Sequence, residues 1–593
     1  MLTYKAPLRD LRFVYYELFD ASELTKLPGF EEATPDLVMD IVAEMGRFAS
    51  EVLQPLNAPG DREGLGFEGG AVTMPAGFVD AYKQYKDGGW AGVTARPEYG
   101  GQGLPYTVGI MLGEVLCASN LSFAMVTALT HGAYAALDLH ADDELKARFL
   151  PKLVDGTWAA TMCLTESQAG TDLGLVRMKA EPQGDGSYKL TGSKIFISGG
   201  EHDLTENIVH LVLARLPDAP AGIKGISLFV IPKLRETEGG KLVPNGVSCA
   251  SIEHKMGIKA SPTCVINFDG STGWLVGEPH KGMKGMFTFM NGARLHVGEQ
   301  GLALAEASYQ GAVAFARERL QGRALTGAKS PELEADPIIV HPDVRRMLLT
   351  MRAFVEGARA LTAWVALEID HHEANPDKAR AEIGDDMASL LTPIVKAFQT
   401  DLGFEATNLG VQVCGGYGYT TEYGMEQLVR DCRITQIYEG TNGIQALDLV
   451  GRKMPAHLGR YLRRFFHPVQ EFLEAEAGNP EMAEFVEPAA KAFERLQRAT
   501  GWLAQEAMKN PDQAGAAATD YLHLFGYTAF AYLWARMARV ALDKRGGDDR
   551  AFYEAKLATA RFYMQRMLPR HSAHFAHVMA GHAAITEFPE AAF

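Results

Sequence analysis

A chain of 593 residues exceeds what one hydrophobic core holds, and at ~100–200 residues per domain it predicts three or four units. Hydrophobic residues make up 47% and charged residues 22%, which excludes disordered, collagen-like and disulfide-scaffold classes. The net charge of −16 repels a phosphate backbone, so no nucleic-acid partner is expected.

The opening MLTYKAPLRD has no apolar core behind a basic end, and no run of 18 or more uncharged apolar residues occurs. Neither export nor a membrane span is expected. Apolar residues then recur at three- and four-residue spacing in PDLVMDIVAEMGRFASEVL and ELKARFLPKLV, predicting an N-terminal helical domain over 1–157. From 158 to 277 the pattern changes to short β-rich runs, WAATMCLTE, YKLTGSKIFIS, NIVHLVLARL, GISLFVIP and TCVINFDG, which predict a compact all-β unit.

The helical period returns over 278–452, with one very long helix expected through RLHVGEQGLALAEASYQGAVAFARERL. Breaks at Met454-Pro455, Gly478-Asn479-Pro480, Asn510-Pro511 and Gly546-Gly547 divide 453–593 into about four more helical segments, an appended bundle. The fold class is therefore mainly α with a central β domain. The six cysteines, at 117, 163, 249, 264, 414 and 432, form no CxxC pair, so no disulfide framework or zinc site is expected and a reducing, cytoplasmic compartment is.

Chemistry concentrates in 412–445, QVCGGYGYTTEYGMEQLVRDCRITQIYEGTNGIQ. The glycines of Gly415-Gly416-Tyr417-Gly418 let backbone N–H groups approach a phosphate or ring edge, although a tight helix–helix turn is their plainer reading. Glu439 stands among apolar and small residues with no adjacent Lys or Arg. Buried, it would have its pKa raised toward ~6–7, the range useful to a general base; alone, an exposed turn glutamate is the plainer reading.

Three segments of the β unit change that balance: MCLTESQAGTDLG (162–174), GSKIFISGG (192–200) and KMGIKASPT (255–263). With YEGTNGIQ they resemble the acyl-CoA dehydrogenase family, in family order and at family spacing, from about residue 90 to Arg452. YKAPLRDLRFV and the added C-terminal bundle resemble its long bacterial branch of broad-range enzymes. The resemblance implies a helical, β-barrel, helical-bundle architecture with an appended C-terminal helical domain, and FAD as cofactor.

It also implies roles for residues. Thr165 matches a contact to the flavin pyrimidine edge, and Thr171 a hydroxyl shared by cofactor phosphate and CoA. Phe196 stands where the family usually has a tryptophan beside the isoalloxazine, and Ser198 where a hydroxyl lies near N5. Arg319 resembles the arginine that reaches the FAD pyrophosphate of the neighbouring subunit, and Gln412, Gly415 and Gly416 the loop that takes the adenylate end of that same cofactor. Thr441 and Asn442 match cofactor contacts, with Gly443 where many members have glutamine. Arg294, with Asn291 in place of a common aspartate, matches the CoA side, and Gly440 a position near the thioester. Core packing, capping and surface charge are the bland readings of these residues taken singly.

The activity implied is α,β-dehydrogenation of an acyl-CoA, a step of fatty-acid β-oxidation. Glu439 is the expected base, and its backbone N–H and a ribityl hydroxyl the expected oxyanion donors, one such donor being worth ~3–4 kcal/mol. Electron-transferring flavoprotein is the expected partner. An acyl-CoA oxidase is the near rival, and a flavin-bearing nucleic-acid-binding relative the distant one. The latter is disfavoured by the balance of 17 Lys+Arg against 16 Asp+Glu in 453–593. His571, His574 and His577 lack added ligands at metal spacing, so packing is expected there and no metal. Because the resemblance implies that Gln412 and the following glycines serve a partner subunit's FAD, and that the appended bundle covers the outer helical faces through which shorter members pair two dimers, a homodimer is expected.

Overall fold

Three helices lead into the β-rich stretch of the computed structural model: α1 (Tyr106–Ser119), α2 (Leu121–His140) and α3 (Asp143–Val154). Asn120 separates the first two, because its extended backbone ends α1 while its side chain accepts the Phe123 N–H at 3.1 Å. Asp142 caps α3 the same way, from Leu145 N–H at 2.9 Å. The structure describes residues 3–237 and 239–593.

Seven strands then build one sheet: β1 (Trp158–Cys163), β2 (Lys179–Pro182), β3 (Tyr188–Ser198), β4 (Asn207–Arg215), β5 (Ile226–Pro232), β6 (Val247–Ile252) and β7 (Thr263–Val276). β7 pairs with β3 and β5, β3 with β2, and β4 with β5. A single pair, Lys179 with Arg215, joins β2 to β4, and the ring is closed. This is the expected barrel, with β1 parallel to β4 and β6 antiparallel to β7 as flanking strands. The period of two along β4 explains its run of buried residues. Val212 and Ala214 enter a core with Leu190, Phe229 and Phe268, while Val209, Leu211 and Leu213 enter one with Leu137, Phe149 and Leu153 of the helices.

These elements belong to one compact unit, Met45–His296. The second unit joins the segment up to Glu44 to Val297–Phe593. It contains the latter part of α4 (Gly282–Glu318), then α5 (Pro342–Ala374), α6 (Lys378–Cys414), α7 (Met425–Arg433) and α8 (Asn442–Asp448). The appended helices are α9 (Arg460–Glu476), α10 (Ala483–Lys509), α11 (Asp512–Lys544), α12 (Arg550–Phe562) and α13 (His571–Met579).

The strongly apolar α11 lies against α5 and α6. A Cβ at Gly357 would stand 2.7 Å from the Phe530 ring, one at Gly526 would overlap Phe398, and Trp534 donates its indole N–H to Ala353 O at 3.2 Å. The first residues are stapled to the same helices. Asp10 pairs with both Arg359 of α5 and Lys556 of α12, Arg359 also meets Glu306 at 2.7 Å, and Lys556 meets Glu356 at 2.7 Å. The segment read in sequence as the start of a 1–157 domain thus belongs, up to Glu44, with the C-terminal half.

Candidate functional site

The three β-unit motifs meet on neighbouring strands. The Thr165 carbonyl accepts the Ile195 N–H at 2.9 Å, Ser198 pairs with Thr263, and the Gly199 N–H reaches Pro262 O at 2.9 Å. Thr171 is exposed in the loop after β1, where Asp172 turns the chain by accepting the Gly174 N–H at 2.9 Å. Phe196 is the unusual member. It holds φ +58° within β3, in the region L residues avoid, and its ring is 59% exposed. A strained, outward-facing aromatic adds little to the core, and it leaves a flat apolar face open. Ile258, in the third motif, is likewise left-handed at +44°.

Sequence reading passed over the pair that holds these loops. Lys194, wholly buried on β3, donates to Glu166 Oε1 at 2.9 Å and to Leu164 O at 3.0 Å. Glu166 also accepts the backbone N–H groups of Arg177 at 2.8 Å and Met178 at 3.1 Å. Burial opposes the carboxylate, yet Lys194 and these amides hold its pKa below the ordinary value. Both residues lie inside the quoted motifs, TESQAG and GSKIF, and that is where a signal was available. In the same unit, Asn291 is exposed near the start of α4, while Arg294 one turn on is 9% exposed.

In the other unit, Arg319 follows the end of α4 with its guanidinium 5.3 Å from the Tyr417 ring centroid, and among the described residues no carboxylate lies within ion-pair distance of it. Tyr417 belongs to the Gly-rich loop, so Arg319 lies beside that loop. Gly415 ends α6 at φ +59°, Gly416 faces open space, and a Cβ at Gly418 would strike Val411 O at 2.5 Å. Gln412 is exposed on the last turn of α6.

Glu439, half-buried, is the apex of an arch between α7 and α8, with φ +59°; Gly440 follows at +89°. One carboxylate oxygen holds both feet of the arch: Asp401 Oδ1 on α6 accepts from Gln436 Nε2 at 2.7 Å and from Asn442 Nδ2 at 2.7 Å. Asn442 also donates to Thr400 Oγ1 at 2.9 Å and Ala397 O at 3.2 Å, and its Oδ1 accepts from Lys396 Nζ at 2.8 Å. Between the feet, the Tyr438 hydroxyl donates to Gln300 Oε1 of α4, and Gln445 Nε2 reaches the carbonyls of Glu439 at 3.3 Å and Gly440 at 3.4 Å. Thr441, exposed, caps α8 through the Ile444 N–H at 3.4 Å. The side chain of Asn442, expected to touch cofactor, makes these hydrogen bonds within the protein and anchors the arch.

His571 is engaged in hydrogen bonds, whereas His574 and His577 meet a carboxylate that their own segment does not contain, Asp520, in a cluster close enough to hold a metal ion. His571 faces Leu568 O and Arg495, and Asp520 Oδ1 meets His574 Nδ1 at 2.8 Å and His577 Nδ1 at 3.1 Å. Among the described residues no helix is long and apolar enough to cross a membrane.

Four family profiles match the chain in order: "Acyl-CoA dehydrogenase, N-terminal domain" over 38–157, "middle domain" over 161–271, "C-terminal domain" over 280–454, and "Acetyl-CoA dehydrogenase C-terminal like" over 465–589. A 3-methylmercaptopropionyl-CoA dehydrogenase of Ruegeria pomeroyi is 44% identical over 577 residues, 96% of this chain and 97% of that protein. The broad-specificity linear acyl-CoA dehydrogenase FadE5 of Mycobacterium tuberculosis is 33% identical over 96% of each. Among solved structures, Caenorhabditis elegans ACDH-11 in complex with C11-CoA superposes at TM-score 0.78 with 20% identity, covering 95% of this chain and 92% of that one. Butyryl-CoA dehydrogenase of Megasphaera elsdenii gives 0.58 and 27%, covering 70% and 97%.

Proposed function

Because the chain belongs to the acyl-CoA dehydrogenase family, we propose that Glu439 is the general base of its reaction, the FAD-dependent α,β-dehydrogenation of an acyl-CoA thioester with electrons passed to electron-transferring flavoprotein. The observation that carries this reading is the arch: a half-buried carboxylate at a left-handed apex, both feet tied to Asp401. Such anchoring holds a base in one pose against a bound substrate.

The residues suit FAD. Phe196 presents its ring outward at a conformational cost, Gly415 and Gly416 add no side chain that would block approach to their loop, and Arg319 carries a charge that no described carboxylate neutralises. When bound, FAD supplies the acceptor for the hydride that leaves the β-carbon. Glu439 takes the α-proton, leaving a trans-2-enoyl-CoA and a protonated carboxyl. The α C–H is too weak an acid for a carboxylate unless negative charge on the thioester oxygen is stabilised, and the Glu439 backbone N–H is the chain's donor for that oxygen. Gly440 leaves room beside it. On this reading Thr165, Thr171, Ser198 and Thr441 would hold the cofactor, Gln412 would serve the adenylate end of the neighbouring subunit's, and Asn291, Arg294 and Thr171 would hold the CoA. Arg319 and the glycine loop serve FAD held mainly by a partner subunit, so the working unit is a homodimer. Six free, buried thiols fit a reducing, cytoplasmic setting.

Full-length similarity to enzymes named for 3-methylmercaptopropionyl-CoA and for linear acyl-CoA points to short linear and sulfur-containing acyl groups as substrates. A panel of thioesters mixed anaerobically with the purified yellow protein tests this. Bleaching of the flavin by 3-methylmercaptopropionyl-CoA or butyryl-CoA is expected, and no bleaching by any thioester would overturn the reading. Rapid reoxidation by air without the partner flavoprotein would make the protein an oxidase.

A further inference from the structure

The appended C-terminal bundle reaches the arch that carries Glu439. His523, on α11, places Nε2 2.9 Å from Asp401 Oδ2. The other oxygen of that carboxylate holds Gln436 and Asn442. Burial alone would raise the Asp401 pKa, but the contacts from His523, Gln436 and Asn442 lower it, so the carboxylate stays an acceptor toward all three. His523 is itself fixed from two sides. Its ring meets the Phe398 ring edge-on at 5.7 Å and stacks on His574 at 5.0 Å, and His574 is tethered to Asp520.

We propose that His523 is a positioning residue for catalysis: from the C-terminal domain it orients Asp401, which in turn fixes both feet of the Glu439 arch. This inference rests on the reading of Glu439 as the base. It assigns the added domain a part in the reaction, since one histidine outside the catalytic bundle completes the set of donors around the carboxylate. Without it, Asp401 loses the partner that sets its rotamer, and the two loop amides lose a common reference point. A small displacement at the feet becomes a misplaced carboxylate at the apex, at a cost of ~10- to 100-fold in turnover.

The test uses full-length, FAD-loaded protein carrying His523→Ala, His523→Gln or Glu439→Gln, assayed with whichever of 3-methylmercaptopropionyl-, butyryl- and octanoyl-CoA the unaltered enzyme turns over fastest. His523→Ala is expected to lower kcat about 10- to 100-fold with KM within about twofold, and to speed amide exchange in residues 436–442. His523→Gln, which keeps a donor near the Nε2 position, is expected to recover most of both. Should His523→Ala not fold, His523→Leu, which keeps the volume against Phe398 without a donor, must show the same split. Unchanged kcat in the Ala or Leu variant, equal loss in the Gln variant, or unchanged exchange of 436–442 would overturn the proposal. Wild-type turnover by Glu439→Gln would overturn the base assignment instead, so the two failures are distinguishable.

Discussion

Asp10 and Lys556 form a buried ion pair between the N-terminal segment and α12 of the appended C-terminal bundle, 546 residues apart, with Arg359 of α5 on the same carboxylate. Burial on its own would raise the Asp10 carboxyl; Lys556 and Arg359 override it and bring it down to about 2 from 3.8. Because the folded value lies below the unfolded one, ionised Asp10 stabilises fully above pH ~4 and the contribution is lost as pH falls from ~4 toward 2. Asp10→Ala leaves two buried cations short of a partner and is expected to cost ~3–5 kcal/mol at neutral pH. Chemical denaturation checks the loss, and an acid-unfolding curve of the variant should be flatter below pH 4. Equal acid limbs in the two proteins would contradict the pairing.

Phe196→Gly is expected to separate folding from cofactor binding. Glycine relieves a left-handed conformation that costs an L residue ~1–2 kcal/mol, and the exposed ring gives up little burial. The apo variant should therefore melt no lower than the parent while its FAD affinity falls. Calorimetry on the apo protein and titration with FAD read the two effects, and intact FAD affinity would show that the ring serves something else.

These residues mark what the sequence made legible. The helical, β, helical, helical order followed from a change of apolar period near 158 and back near 283, and the segments holding Thr165, Phe196, Arg319 and Glu439 were visible as dense motifs. The allegiance of the first 44 residues was not, because the Asp10 to Arg359 and Lys556 contacts join positions that no local pattern relates. Lys194 and Glu166 stand inside the GSKIF and TESQAG motifs but drew no role from the sequence, since only their burial together reveals the pair. Asp401 and His523 lie in the middle of long helices, where a polar residue usually faces water.

Arg319→Ala removes a cation that makes no described ion pair. The variant is expected to fold normally and to hold FAD ~10- to 100-fold more weakly, the equivalent of a charge-assisted contact worth ~1.5–3 kcal/mol. Flavin absorbance retained after dilution and gel filtration measures it, and full retention would assign the pyrophosphate to another residue.

Assembly is predicted to stop at a dimer. α11 already covers α5 and α6 within one chain, as the crowding at Gly357 and Gly526 shows, so it would occupy the helical faces through which the resemblance implies that shorter members pair two dimers. Light scattering of the full-length, FAD-loaded protein should give twice the 64.6 kDa chain mass. A stable tetramer would contradict this.

The central claim, that Glu439 is the base, is tested most directly by single-turnover flavin reduction in Glu439→Gln. The amide keeps the size and the hydrogen-bonding shape of the side chain but cannot take a proton. The account predicts a yellow, folded protein that binds acyl-CoA with near-parental affinity and reduces its flavin at least ~100- to 10,000-fold more slowly. Flavin reduction at close to the parental rate would contradict it.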